Sequence, residues 1–400
     1  MKRFNNKVLA YKPSNTRSAI IGAAFLMATS AIGPGFLTQT TVFTNKLGAA
    51  FAFVIVVTIL IDIAVQLNIW RMISMSNLRA QDLANKVLPG LGYVLAGMIV
   101  FGAVAFNTGN VAGAGLGVQV CTGLPTPIGA AVSALVAIII FWQKDAGHAM
   151  DVFTKYMGLL MIVLTCYVAW IAHPPMISVV QQIFWPHTTS TMAIVTIVGG
   201  TVGGYISFAG AHRLLEAGIV GASQLNKVNK GAISGIVLTG IMRFVLFLAA
   251  LGVVMQGKNL DAANPAAAVF KLSAGQLGYF FFGMVMWAAA VTSIIGASFT
   301  AISFIKTFHP AIEAQQKIWV TGFILLSTGI FEWIGQPVNV LVWAGTVNGF
   351  ILPLALFIIL IAALQHRLTP NYKHALWLQV AGWVVVVALL WLAMETIKKI

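Results

Sequence analysis

From residue 18 to residue 393 the chain is a succession of solidly apolar runs separated by short polar stretches. The runs fall at 18–44, 48–70, 90–118, 125–142, 153–171, 192–212, 231–254, 276–304, 318–333, 337–364 and 375–393. Each approaches or exceeds the roughly 20 residues that a helix needs to cross a hydrocarbon layer about 30 Å thick, so eleven crossings are predicted. None shows the period-two alternation of a barrel strand. In lipid a helix satisfies its own backbone, and the fold class that follows is an all-α polytopic membrane protein.

Composition agrees and narrows the function classes. Of 400 residues, 59% are hydrophobic and 8% charged, with a mean hydropathy of +0.93, whereas a soluble enzyme carries about a quarter charged residues. The spans leave no room for a soluble catalytic domain, there is no GxxxxGK[ST] loop for nucleotide, and mid-span ionisable groups are too few to assemble an active site. The chain is therefore read as no enzyme. Its net charge of +14 is explained by topology. With the N-terminus in the cytoplasm, seventeen of the 23 Lys and Arg fall inside and five outside, with Arg243 in mid-span, as the positive-inside rule requires. The expected location is thus the cytoplasmic membrane, multi-pass, N-terminus inside and C-terminus outside. No basic, aromatic-rich stretch suggests nucleic acid, and no obligatory protein partner is evident. The expected partners are the bilayer and a small-molecule or ion substrate. Cys121 and Cys166 lack metal or redox spacing and read as packing residues.

Two spans are interrupted near their middles. The first contains Gly33-Pro34-Gly35 and the sixth contains Gly199-Gly200 and Gly203-Gly204. Glycine and proline remove helix propensity, and proline also removes a donor. Spans one and six are five apart, and glycine- or proline-broken segments at matching places in two halves point to a transporter built on an inverted repeat. The organisation expected is a basic cytoplasmic tail at 1–17, a first five-helix repeat at 18–172, an extracellular loop at 173–190, an inverted second repeat at 191–365, and an eleventh helix with the C-terminus at 366–400. At each break, carbonyls of one half-helix and N–H groups of the next are free to bind a solute or ion.

These residues resemble the NRAMP divalent-metal transporters, a family with the LeuT-like fold. The likeness runs from about residue 23 to residue 364. It is carried by the break in span one, ILIDIAVQLNIWRMISMSNLRAQDLA in span two, NVAGAGLGV in span three, GGTVGGYISFAGAH in span six and AAAVTSIIGASFTAISFIKTF in span eight. It implies a LeuT-like 5+5 inverted repeat with helices 1 and 6 broken, and secondary transport by alternating access.

The same resemblance exposes a departure at the metal-handling positions. Where the family has Asp-Pro-Gly-Asn, this chain has Gly33-Pro34-Gly35-Phe36. Where it has Met-Pro-His, this chain has Gly203-Gly204-Tyr205. A family histidine falls on Gly210, with His212 two residues on, and the family's acidic pair in span three aligns with Asn107 and Asn110. A dehydrated divalent ion wants oxygen or softer ligands and formal negative charge, and the expected cavity supplies none of that charge. Gly33, Gly35, Phe36, Asn107, Asn110, Gly203, Gly204, Tyr205 and Phe208 offer instead helix N-termini, amides, a phenol and an aromatic wall. The cargo expected is a small organic solute, an amino acid or carboxylate, moved with a coupling ion. The alternative retained is a divalent metal ion, Mg²⁺, Mn²⁺ or Fe²⁺, since carbonyls and amides are able to hold a hydrated cation.

Asp62 in span two and Arg243 in span seven sit at depths that agree within roughly 5 Å at 1.5 Å of rise per residue. An intramembrane ion pair is the default reading. The alternatives are that Arg243 grips a substrate carboxylate or that Asp62 carries the coupling proton. No cofactor is expected beyond a coupling Na⁺ or H⁺. In sodium-coupled relatives of the LeuT-like fold, hydroxyls on span eight face carbonyls before the first break. Here Thr292 and Ser293 would face Thr29, Ala31 or Ile32. On the sodium reading, counterflow should respond to a sodium gradient and weaken in Thr292→Ala; uptake indifferent to both eliminates it.

Overall fold

The computed structural model describes residues 31–370 and 372–398. The helices are α1 Pro34–Leu47, α2 Phe51–Ser76, α3 Ala80–Val87, α4 Leu91–Thr122, α5 Thr126–Trp142, α6 Lys144–Ile171, α7 Met176–Phe184 and α8 Thr191–Val202. They continue with α9 Tyr205–Glu216, α10 Leu225–Met255, α11 Pro265–Ile305, α12 Pro310–Ala314, α13 Gln316–Ile334, α14 Pro337–Leu364 and α15 Leu376–Ile397. Every predicted span has a counterpart among them, the part of the first before residue 31 lying outside the described residues.

Among the described residues nine segments qualify as crossings by length and apolarity alone, because Pro34–Ser76 counts as one stretch of 43 residues and Thr126–Trp142 is slightly short. Forty-three residues of helix would reach about 65 Å at 1.5 Å per residue, twice the apolar layer. The chain turns within that stretch at Gly48, whose φ of 55° and ψ of −137° open a short 3₁₀ turn before α2. Only glycine enters that conformation without strain. Beyond the prediction, the 173–190 loop contains α7, and α11 begins about three turns before span eight, with a kink at Gly275, φ 65°.

Large apolar side chains such as Leu60, Phe101, Leu135, Trp170, Trp333 and Val387 are exposed, the outward band a helix bundle presents to lipid. Inside, small residues let backbones approach, the usual device where lipid removes the hydrophobic drive between helices. A side chain at Gly113 of α4 would collide with the Pro34 ring, and one at Gly199 of α8 with the backbone of α14 at Gly345 and Gly349. The sixth-span glycines therefore divide in role. The helix runs unbroken through Gly199 and Gly200, which serve packing, and stops only at Gly203-Gly204.

At one end of the bundle a polar cluster anchors α15 to α2. Asn68 donates to the Ala64 and Leu378 carbonyls, and its Oδ1 lies 2.8 Å from His374 Nε2; the Tyr372 hydroxyl lies 3.0 Å from His374 Nδ1. The two contacts are satisfied together by a neutral ring that donates from Nε2 and accepts at Nδ1. Burial, reinforced by the nearby Arg71 charge, pushes the His374 pKa down to about 4. The unfolded chain binds this proton near pH 6.5 and the folded one only near 4, so stability falls as pH drops through that window. The melting temperature in detergent should decline between pH 7 and 4, with a loss of up to about 3 kcal/mol from this group. His374→Gln should be less stable at pH 7 and flatter across the window; an equal slope in both chains refutes the assignment.

Candidate functional site

The first break is built by a proline that starts a helix. Ile32 and Gly33 are non-helical, Gly33 is extended at φ −110°, ψ −170°, and Pro34 occupies the first turn of α1, where its missing N–H is no loss. The second break lies between α8 and α9. Gly203 is extended, and Gly204 has φ 52° and ψ −126°, a region closed to other residues. Ser207 Oγ reaches back 2.9 Å to the Val202 carbonyl across this break, and Trp70 Nε1 of α2 donates to the Ser207 carbonyl at 2.9 Å. Both breaks are buried; the first N–H groups of a helix have no partner within it, and in α9 the Ile206 N–H is taken by the Gly203 carbonyl at 3.2 Å.

Around the first break stand Ser293 of α11 and Asn110 of α4. A Cβ on Gly33 would lie 3.4 Å from Ser293 Oγ and 3.7 Å from Asn110 Oδ1. Asn110 Nδ2 is buried without a partner, and Asn110 is in hydrogen-bond reach of the Tyr205 phenol, which packs edge-on against Phe106 at 5.7 Å. One turn along α4, Asn107 donates to Ser298 Oγ at 3.2 Å and leaves its Oδ1 without a partner. The structure thus gathers Gly33, Gly35, Asn107, Asn110, Gly203, Gly204 and Tyr205 at or near the two breaks.

Other predicted residues have different work. Phe36 lies under the Arg243 guanidinium, whose Cζ is 4.4 Å from the ring centre. Phe208 faces away, packing edge-on against Phe304 at 5.8 Å and beside His212; it is core and not chamber wall. His212 Nε2 accepts from the Ala80 N–H at 3.1 Å, capping α3, and Arg79 pairs with Glu216 at 2.9 Å beside it. Of the proposed sodium hydroxyls, Ser293 does stand by the first break. Thr292 bonds its own helix through the Ala288 and Ala289 carbonyls. Ile32 lies at the break, and Thr29 is outside the described residues.

The expected Asp62–Arg243 ion pair is not a contact. Among the described residues three salt bridges occur, and neither side chain takes part in one. Arg243 is instead turned toward the Phe36 face and the Ile197 carbonyl, 3.4 Å from Nη1, leaving Nε and Nη2 unpartnered; Asp62 Oδ1 is unpartnered too. The two share a small cavity with Thr58, Thr201 and Thr239.

Two site residues escape sequence reasoning. Asn348 of α14 donates to the Gly102 and Ala344 carbonyls and presents a partnerless Oδ1 to Gly204. Gln39 of α1 donates to the Leu341 carbonyl at 2.8 Å, and its orphaned Oε1 abuts Gly200. A polar residue inside an apolar run was the available signal. No group of three or more His, Cys, Asp or Glu able to hold a metal occurs among the described residues.

Comparison with known proteins places this geometry. Residues 24–398 match the family model described as natural resistance-associated macrophage protein-like, Nramp. The chain is 53% identical over 383 residues to the uncharacterized membrane protein YcsG of Bacillus subtilis, covering 96% of this chain and 95% of that one. It is 25% identical over 318 residues to the divalent metal cation transporter MntH of Vibrio campbellii, covering 76% and 73%. A crystal structure of the Eremococcus coleocola manganese transporter superposes with a TM-score of 0.73 at 14% identity, covering 100% of this chain and 89% of that one.

Gly204→Ala should lower the melting temperature and suppress transport, since a methyl group there meets both the positive φ and Asn348 Oδ1, a loss of about 2 kcal/mol or more. Asn348→Ala in the same chain should recover the steric part and not the backbone part. A Gly204→Ala chain as stable as wild type refutes the second break.

Proposed function

The chain belongs to the Nramp family and has its LeuT-like fold, and from that premise we propose that this secondary transporter carries a small organic solute with a carboxylate or zwitterionic head. The observation that carries the reading is the chemistry between the two breaks. The side chains there are amide, hydroxyl and phenol, with no carboxylate, thioether or free imidazole. A divalent ion leaving water needs formal negative charge around it, and this chamber holds none.

What it does hold suits an organic head group. The N-terminal turns of α1 and α9 aim free N–H groups and positive dipole ends at the chamber, the standard recognition of a carboxylate. Asn110 Nδ2 is a spare donor, and Asn107 Oδ1, Asn348 Oδ1 and Gln39 Oε1 are spare acceptors for an amine or amide of the cargo. Alternating access follows from broken helices moving against α4, α11 and α14. The distribution of Lys and Arg supports the cytoplasmic membrane with the N-terminus inside.

A second reading, divalent metal transport, is favoured by the kinship with the MntH protein and by the likeness to the manganese transporter. The neutral oxygens of Asn107, Asn348 and Gln39 would then hold a partly hydrated cation.

Thermal-shift and calorimetric titration of the purified full chain against amino acids, hydroxy acids, lactams, Mg²⁺ and Mn²⁺ separates the two. An organic acid should stabilise the protein saturably, and Asn110→Ala should weaken that binding about tenfold, the worth of about one hydrogen bond. Saturable Mn²⁺ or Mg²⁺ binding without any organic hit overturns the first reading in favour of the second.

A further inference from the structure

We propose that Asp62 carries the coupling proton of the transport cycle, with Arg243 as its alternating charge partner. The proposal rests on the chain being a secondary transporter and not on which cargo it moves.

The carrying observation is the direction of the hydroxyls around Asp62. The cavity between α2, α8 and α10 is lined on its polar side by Thr58, Asp62, Thr201, Thr239 and Arg243. Thr58 donates to the Ile55 carbonyl at 3.0 Å, Thr201 to Ile197 at 2.8 Å and Thr239 to Gly235 at 2.9 Å. A hydroxyl has one hydrogen. All three bond carbonyls of their own helices, and Thr201 is also within hydrogen-bond reach of Asp62. An ionised carboxylate accepts and cannot donate; its available donors are the Thr201 hydroxyl, when its hydrogen leaves the Ile197 carbonyl, and the unpartnered Nε and Nη2 of Arg243. A protonated carboxyl has a hydrogen of its own, which a threonine lone pair can accept.

Asp62 therefore has two satisfied states. Loaded with a proton, it donates to a threonine hydroxyl. Unloaded, it turns its charge to the guanidinium. The cavity has room for about one water molecule, enough to relay the proton or to fill the gap. Arg243 is the one charged group facing Asp62 among the described residues, and α8 contributes no ionisable side chain. A permanent guanidinium also disfavours a metal cation in this cavity, which leaves the proton as the ion that fits.

The switch touches both broken helices. Thr201 lies two residues before Gly203. Arg243 holds the Phe36 ring in the first turn of α1 and the Ile197 carbonyl of α8. Protonation of Asp62 leaves the Arg243 charge uncompensated beside the first break, which favours an anionic head group there. Proton and anionic cargo would thus load together and leave together, which is symport.

Two measurements on the full chain in lipid test this. Infrared spectra taken as the pH is lowered should show the carbonyl stretch of one buried protonated carboxyl, abolished in Asp62→Asn and shifted in Thr201→Val, which keeps the acid and removes an acceptor. A band that survives Asp62→Asn, or that Thr201→Val leaves in place, overturns the proposal, as does the absence of any band in wild type. In proteoliposomes with one pH unit across the membrane, acid outside, and radiolabelled L-alanine, L-lactate or Mn²⁺ as probes, wild type should accumulate the label it moves about tenfold per coupled proton. Asp62→Asn should bring that ratio to near one. Accumulation by Asp62→Asn equal to wild type, or accumulation driven by sodium and not by the pH gradient, refutes the role. If only Mn²⁺ moves, the organic cargo is wrong and the Asp62 outcomes stand unchanged; if none moves, the infrared outcomes decide.

Discussion

Unpaired main-chain groups inside a bilayer are what this structure has to manage. A peptide N–H or C=O in hydrocarbon costs several kcal/mol unless it finds a partner, yet α1 starts at Pro34 and α8 stops at Val202 inside the bundle. Each break is tolerated because it is enclosed by protein. The Val202 carbonyl is covered by Ser207 Oγ, the α9 backbone is held by Trp70, and Gly113 of α4 packs directly against Pro34 at the first break. The glycines of α4, α8 and α14 are the enabling feature, since any side chain there would hold the enclosing helices apart.

That enclosure also sets the chemistry. Because the breaks are buried, the polar side-chain atoms left unpaired beside them are groups that a bound solute could satisfy. The orphans are amide oxygens and an amide nitrogen, joined by helix N-termini. The negative charge that a divalent ion requires is missing from the breaks, and the nearest carboxylate, Asp62, lies in a neighbouring cavity with a guanidinium beside it. Arg243 links the Asp62 cavity to the two breaks, through the Phe36 ring of α1 and the Ile197 carbonyl of α8.

The family fold accommodates this change because the breaks are main-chain features. Side chains beside a break can differ without altering why the helix breaks, so the architecture of a manganese transporter persists at 14% identity. Relatives as similar as YcsG, at 53%, share far more of the chain than its scaffold.

Much of this was legible in the sequence. Apolar run length placed a helix at every predicted span, and Gly33-Pro34-Gly35 with Gly203-Gly204 marked both breaks, because helix propensity and the missing proline donor are local properties. The absence of acids at the breaks was equally plain. Only the tertiary structure decided which side chains meet there. It brought in Gln39 and Asn348, moved Phe208 into the core, and assigned His212 to capping α3. Depth counting put Asp62 and Arg243 at one level, but contact depends on rotamer and on competing partners, and Arg243 is turned to Phe36 and Ile197. Helices are specified by residues three and four apart, whereas a site assembled from α1, α4, α9, α11 and α14 depends on rotations and close approaches that no single segment encodes.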